Sequence, residues 1–370
     1  DLDKKKRTNI KPKHKLGEAP LRFNWQTPVL LSPHNQDILY LGSNKLHRSF
    51  DQGDHWETIS NDLTKDSLKG NVPYGTISCI SESPLKFGVI VTGSDDGLIH
   101  LTKDSGVSWK EISSSLPKDL WVSKVIASKH KTSRIYACLN GYRWDHFESY
   151  IYVSEDYGKT WNRINNNLPN APVNTVIEDT IDESLLFCGT DNGLYASFNF
   201  GQNWHSIDHK MPNVAVHDLV IQPVEKDLII ATHGRSIYKL NISALQNFDT
   251  NQKGEKIFKI NPVRHSKNWG NSWSQWQKPN TPEVNFIVYS PKDQTLDFKV
   301  TEENKKGTLF NFTQTVYKGF NQVKYDLTRN INSKKKNQTE IKIAKNGKTY
   351  LEPGTYLLST LNSDVFFEIN

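Results

Sequence analysis

The sequence predicts an all-β chain, a β-propeller of about five blades that is part of a larger ring, followed by an antiparallel β-sandwich. Two observations carry this reading. A turn of the pattern S/T-x-D/N-x-G-x-x-W recurs four times at blade-sized intervals, and after residue 245 the repeat gives way to alternating segments separated by Asn, Gly and Lys clusters. Short antiparallel sheets repeated at a fixed period, none able to bury both faces alone, describe a propeller.

Residues 1–20 read as a basic tail or linker, too polar and Pro-interrupted for an outer strand. The blades then span 21–245. Their turns run from Ser49 through Asp51 and Gly53 to Trp56, and from Thr102 through Asp104 and Gly106 to Trp109. The third and fourth run from Ser154 through Asp156 and Gly158 to Trp161, and from Ser197 through Asn199 and Gly201 to Trp204. Their spacings are 53, 52 and 43 residues. The glycine permits the positive φ of a tight hairpin. The Asp or Asn accepts from N–H groups of its own turn, and the Ser or Thr hydroxyl closes the network. The tryptophan supplies bulk between neighbouring sheets. These residues read as structural devices.

Within the second unit, strands are expected at Thr76–Ser81, Val89–Gly93, Leu98–Thr102 and Ser108–Ile112. The other units begin near Trp25, Trp121, Val173 and Val214. The fifth has no such turn and no clear fourth strand. Five blades, the last incomplete, are therefore expected to need upstream blades or another chain to complete the ring. A chain opening on Asp1 and a basic stretch is expected to be a processed or truncated product.

Residues 246–282 read as a Trp-rich connector carrying Trp269, Trp273 and Trp276, either sugar-stacking or anchoring. From 283 to 370 strands are expected at Val284–Tyr289, Leu296–Val300, Phe310–Val316, Gln322–Leu327, Glu340–Ala344, Gly354–Ser359 and Asp364–Glu368.

The four turns, with phrases such as YIYVSEDYGKTW, GTDNGLYAS and THGRSIY, resemble bacterial Asp-box (BNR-repeat) propeller proteins of a sortilin-like, glycosyl-hydrolase-like subgroup. The wider group includes sortilin-type receptors, photosystem assembly propellers and xyloglucan-cleaving glycosidases. The resemblance is close over roughly residues 20–245. It implies the fold, a location outside the cytoplasm (secreted, periplasmic or cell-surface) and upstream repeats, but little about function. The segment Gly319–Leu327, followed by Pro353-Gly354-Thr355-Tyr356, resembles immunoglobulin-like modules that end many secreted bacterial proteins, with Tyr325 in place of their usual tryptophan.

Composition excludes several classes. The net charge of +6 is concentrated in residues 1–20 and 331–350, so the propeller offers no basic groove and no nucleic-acid partner is expected. No run of about 20 apolar residues is present, so membrane insertion is not expected. Cys79, Cys138 and Cys188 lie in apolar strand patterns and read as buried thiols. Neither metal-ligand spacing nor a phosphate loop appears, and neither metal nor cofactor is expected.

Strand direction alternates within a blade, so the starts of first strands and the turns between second and third strands emerge on one face. That face is the expected ligand site. It carries Trp25, Tyr74, Trp121, Asn174 and His217, with His233 and Arg235 from THGRS. Arg143 and Trp144 come from the long insertion 140–148. Trp144 and Phe147 read equally as ligand contacts or as caps on a blade edge. The reading is a non-enzymatic extracytoplasmic scaffold or receptor for a protein or peptide. The alternative is a glycan-binding or glycoside-hydrolase-type propeller using Asp96, Asp145 and Asp191, which also fit ordinary turn chemistry.

Overall fold

The computed structural model describes residues 9–65, 74–207, 211–249, 251–272, 274, 276–303, 307–330 and 342–370. Two compact units divide the chain, Asp1–Gln246 and Asn247–Asn370.

The first unit is a β-propeller arc. Blade 1 comprises Val29–Leu31, Leu39–Gly42, Leu46–Ser49 and Glu57–Thr58. Blade 2 comprises Ile77–Glu82, Ile90–Ser94, Ile99–Thr102 and Lys110–Glu111. Blade 3 uses Trp121–Ala127, Ile135–Gly141, His146–Ser154 and Asn162–Arg163, and blade 4 uses Val173–Glu178, Leu186–Thr190, Gly193–Ser197 and His205–Ser206. In each, the four strands pair antiparallel in chain order. Among the described residues blade 5 has three, Val216–Gln222, Asp227–Thr232 and Ile237–Asn241. The second strands of blades 1, 2 and 4 are buried along their whole length, because a sheet covered on both faces has no polar side.

The cores lie between consecutive sheets. Tyr40, Leu46 and Ile59 pack with Ile77, Ile90 and Trp109. Val91, Ile99 and Ile112 meet Val125, Ala137 and Tyr150. Tyr136, Ile151 and Ile164 meet Val176, Leu186 and Trp204. Backbone approach is close where a side chain of the next blade intrudes. A Cβ on Gly93 would stand 2.4 Å from Val122 Cγ1 and 2.7 Å from Cys79 Sγ. Gly93→Ala is therefore expected to destabilise the propeller by about 1–3 kcal/mol through overpacking; a denaturant midpoint equal to wild type would refute this.

Each repeated turn holds two consecutive residues at positive φ: Gln52 and Gly53, Ser105 and Gly106, Tyr157 and Gly158, and Phe200 and Gly201. In the third turn, Ser154 Oγ donates to Asp156 Oδ1 at 2.9 Å and accepts from Gly158 N at 2.7 Å, while Thr160 N donates to Asp156 Oδ1 at 2.9 Å. The same bonds recur around Asp51, Asp104 and Asn199. The tryptophan closing the second, third and fourth turns reaches the preceding blade. The indole Nε1 of Trp109 donates to Ile59 O, that of Trp161 to Ile112 O and that of Trp204 to Ile164 O, at 2.7–2.8 Å.

The Thr160 backbone and hydroxyl hold the Asp156 carboxyl down to about 2, and Ser108 does the same for Asp104. Their ordinary value is 3.8. The folded carboxylates are the stronger acids, so their stabilisation is complete above about pH 4 and is lost as pH falls through about 2. Asp156→Ala is expected to lower the melting temperature at pH 7 and to leave partner affinity unchanged. Wild type and variant should converge in thermal scans toward pH 2; a constant gap across pH would contradict the carboxylate's role.

The second unit is an antiparallel β-sandwich. One sheet orders Lys256–Ile257, Val284–Ser290 and Gly319–Tyr325, and the other orders Thr308–Val316, Gln294–Glu302, Gly354–Ser359 and Asp364–Ile369. Phe286, Phe298, Val300, Tyr325 and Leu358 fill the space between them. Tyr325 stacks on Phe312 at 5.2 Å, and Phe312 on Phe298 at 4.9 Å. The segment 246–282 contributes to this domain. Lys256–Ile257 pairs with Val288 and Tyr289, and Trp269 is buried in the core against Tyr350. Trp276 is exposed, and Trp273 lies outside the described residues. The expected strand Glu340–Ala344 is corrected in part. Residues 342–344 are not extended strand, because Ala344 N donates to Lys348 O and Gly347 N to Ala344 O, closing a turn before Thr349–Tyr350. Residues 340 and 341 lie outside the described residues.

Candidate binding site

One face of the arc encloses a cavity of about 770 Å³ to which every blade contributes. Blade 1 sends Asn24, Trp25 and Gln26 from the loop before its first strand, and blade 2 sends Ser78 and Asp95. Blade 3 supplies Trp121, Ser123 and the insertion residues Asn140, Tyr142 and Arg143. Asn174 and Asp191 belong to blade 4, and Ala215, His217 and His233 to blade 5.

The polar groups form two networks. Asn140 Nδ2 donates to Asn174 Oδ1, and Asn174 Nδ2 to Asp191 Oδ1, both at 2.8 Å, which joins blades 3 and 4. Asp95 accepts from Gly75 N, Thr76 N and Thr76 Oγ1 at 2.7–3.0 Å. Burial pushes the Asp95 carboxyl above its usual value while the Thr76 bonds oppose the rise. Its oxygens are engaged in holding the turn. The Arg143 guanidinium lies 3.8 Å from the Trp121 ring centroid, and Arg143 makes no ion pair among the described residues. Trp121 Nε1 is buried with no hydrogen-bond partner among them. His217 and His233 meet edge to face at 5.0 Å. Partial burial, followed by the His233 neighbour, lowers the His217 pKa.

The insertion Asn140–Glu148 builds the rim. Its single 3₁₀ turn, Tyr142–Trp144, ends on Asp145 at φ 54°. Tyr142, Trp144 and Phe147 are exposed, Tyr142 packs edge to face on Phe147, and Trp144 lies 6.4 Å from Tyr74.

Of the residues expected at the ligand face, Trp25, Trp121, Arg143, Asn174, His217 and His233 line the cavity, Tyr74 and Trp144 stand together as a ring pair, and Arg235 is not a lining residue. Of the three acids of the hydrolase alternative, one is a lining residue. Asp191 lines the cavity; Asp145 ends the insertion's turn; buried Asp96 accepts from Ser94 Oγ at 2.6 Å and Lys65 N at 2.7 Å. Sequence reading did not single out Asn24, Ser78 or Ser123. Asn24, beside Trp25, was open to the same placement argument, whereas serines within first strands carry no signal of their own.

A sortilin family model (sortilin, neurotensin receptor 3) matches residues 149–350, more than half of the chain. The chain belongs to the sortilin-Vps10 family. No curated protein matches it. Among solved structures, an ancestral GH74 enzyme is similar at 13% identity and TM-score 0.48, covering 94% of this chain and 46% of its own. The GH74 xyloglucanase from Xanthomonas campestris is similar at 11% identity and TM-score 0.48, covering 82% and 46%. YCF48 bound to D1 peptide is similar at 14% identity and TM-score 0.42, covering 62% and 65%. The sortilin-family chain thus spans about half the length of the two GH74 enzymes. Among its described residues no helix is long and apolar enough to cross a membrane.

Proposed function

We propose that the propeller is a non-enzymatic, extracytoplasmic scaffold or receptor that binds a protein or peptide in the five-blade cavity. The carrying observation is the insertion 140–148, which places exposed aromatic rings and an arginine without an ion pair beside a concave site walled by amides and imidazoles. Aromatic residues and arginine are the side chains most enriched where proteins bind proteins. Membership of a family described by a receptor supports the same reading. The four turns act as Asp-boxes, that is, as folding devices. The C-terminal sandwich acts as an immunoglobulin-like spacer or assembly module, for which the Pro353-Gly354-Thr355-Tyr356 turn and the two packed sheets are the support. Of the three acids of the hydrolase alternative only Asp191 lines the cavity, and the Asp95 carboxylate beside it is held by Gly75 and Thr76, which supports binding over hydrolysis by a carboxylate pair.

The test has two arms. Affinity capture with the full-length protein from its native source is expected to recover a defined protein, competed by excess free propeller. A screen of polysaccharides and aryl-glycosides is expected to show no turnover. Turnover abolished in Asp96→Asn, Asp145→Asn or Asp191→Asn would replace the scaffold by a glycosidase.

A further inference from the structure

We infer that the cavity takes a basic side chain of the partner peptide, and that a β-bulge in each of blades 2 to 5 places one residue there to receive it. The inference deepens the peptide-binding reading and rests on it. The first strand of each of these blades skips one residue in its pairing with the second strand. Ile77 faces Ser94 and Cys79 faces Gly93, which leaves Ser78 unpaired. The same skip leaves out Ser123 in blade 3, Asn174 in blade 4 and His217 in blade 5. All four line the cavity. The extra residue of a bulge bends its strand and turns its side chain out of the regular alternation. Four bulges at equivalent places in their blades make a row of contact positions.

The row presents acceptors. A serine hydroxyl has one proton to give. Ser78 Oγ gives it to Val122 O at 2.7 Å, with Gly93 O at 3.1 Å, and Ser123 Oγ gives it to Val173 O at 2.7 Å. Val122 and Val173 directly precede the bulges of the next blades. The hydroxyls thus link blade to blade, and only their lone pairs are left for a ligand. Asn174 orients the acid beside it. Its Nδ2 donates to Asp191 Oδ1, while Asp191 Oδ2 accepts nothing among the described residues.

The charge balance points the same way. Two carboxyl groups, Asp95 and Asp191, line the cavity against one guanidinium, that of Arg143, which lies over the Trp121 ring. Lys124, next to Ser123, is paired with Asp218 at 2.7 Å and is not a lining residue. Free acceptors in a site with more carboxyl than cationic groups match a ligand group that carries both donors and positive charge. In a peptide that group is the side chain of arginine or lysine.

The test titrates blocked single residues onto the full chain: the N-acetyl amides of arginine, glutamine and glutamate, followed by calorimetry or ligand-observed magnetic resonance. The arginine probe is expected to bind roughly ten-fold more tightly than the other two, the scale of one hydrogen bond to a charged group. Asp191→Asn keeps an oxygen for Asn174 and should weaken arginine binding by roughly ten-fold without moving the melting temperature. Ser123→Ala, with its melt recorded alongside, should weaken it as well. Asp54→Asn, which removes an exposed charge from the first repeated turn, should leave it unchanged. Preference for the glutamate or glutamine probe, or equal weakening by Asp54→Asn and Asp191→Asn, overturns the inference and leaves the peptide reading standing. Binding of none of the probes also overturns it, and affinity capture then judges the peptide reading separately. Putrescine bound as tightly as the arginine probe overturns the assignment to a peptide side chain.

Discussion

Glu178→Ala is expected to lower the stability of the propeller by about 3–5 kcal/mol, the range for breaking a buried charge network by removing one partner. Glu178 is fully buried at the end of blade 4's first strand. Its Oε2 accepts from Ser128 Oγ at 2.8 Å and Lys129 N at 2.7 Å, and its Oε1 from Tyr136 OH at 3.2 Å and Arg134 Nη1 at 3.3 Å. All four donors belong to blade 3, so one carboxylate ties two sheets together. Alanine would strand the Tyr136 hydroxyl and the Lys129 N–H away from water. Arg134 would keep Glu155 at 2.7 Å and Glu183 at 3.0 Å, which limits its own loss. Burial, and then the Glu178 charge, raises the Tyr136 phenol far above its ordinary value, so it remains a donor at any working pH. Glu178→Gln should recover part of the loss, because an amide oxygen still accepts. Chemical denaturation of the three proteins checks the order; a loss below about 1 kcal/mol for alanine would mean that water replaces the carboxylate.

Arg143→Ala is expected to weaken partner binding by roughly ten- to a hundred-fold, the scale of a hot-spot arginine, without moving the melting temperature. Arg143 stands on an exposed turn, stacks on Trp121 and makes no ion pair among the described residues, so its removal costs the fold little. Its N–H groups remain available to a ligand at the cavity mouth. Asn174→Ala should weaken binding too, because it breaks the Asn140–Asn174–Asp191 chain that sets the cavity wall. The measurement is titration calorimetry or surface binding against the captured partner, with circular dichroism melts in parallel. Unchanged affinity in both variants would move the binding site away from this face. A parallel fall in melting temperature would assign Arg143 to structure.

Much of the fold was legible because its signals are local. A turn that needs positive φ, a hydroxyl and a carboxylate within three residues writes itself into the sequence, and the strands expected for blade 2 lie within two residues of those observed. Strand alternation likewise placed Trp25, Trp121, Asn174 and His217 on one face. The pairing of blades was not legible. Ser32 and Ser128, His34 and His130, Tyr40 and Tyr136, and Glu82 and Glu178 recur 96 residues apart, a period of two blades. Glu82 accepts from Ser32 and Tyr40 as Glu178 does from Ser128 and Tyr136. Blades 1 and 2 share one buried carboxylate and blades 3 and 4 another, and an isolated Glu at a strand end gives no hint of it.

By itself the sequence determined the repeat and the three-stranded form of blade 5 among the described residues, because backbone conformation and hydrophobic alternation are properties of neighbouring residues. Only the tertiary structure decided the rest. Ile10, in a segment too polar and Pro-interrupted to resemble a strand, takes the place of Ile59, Ile112 and Ile164 because a tryptophan 46 residues away has one carbonyl to reach. Asp191 reaches the cavity while Asp96 and Asp145 do not, because each side chain's direction depends on how its turn packs against the next blade. Trp269 left the connector for the sandwich core, since a large ring enters whichever apolar space long-range pairing creates for it.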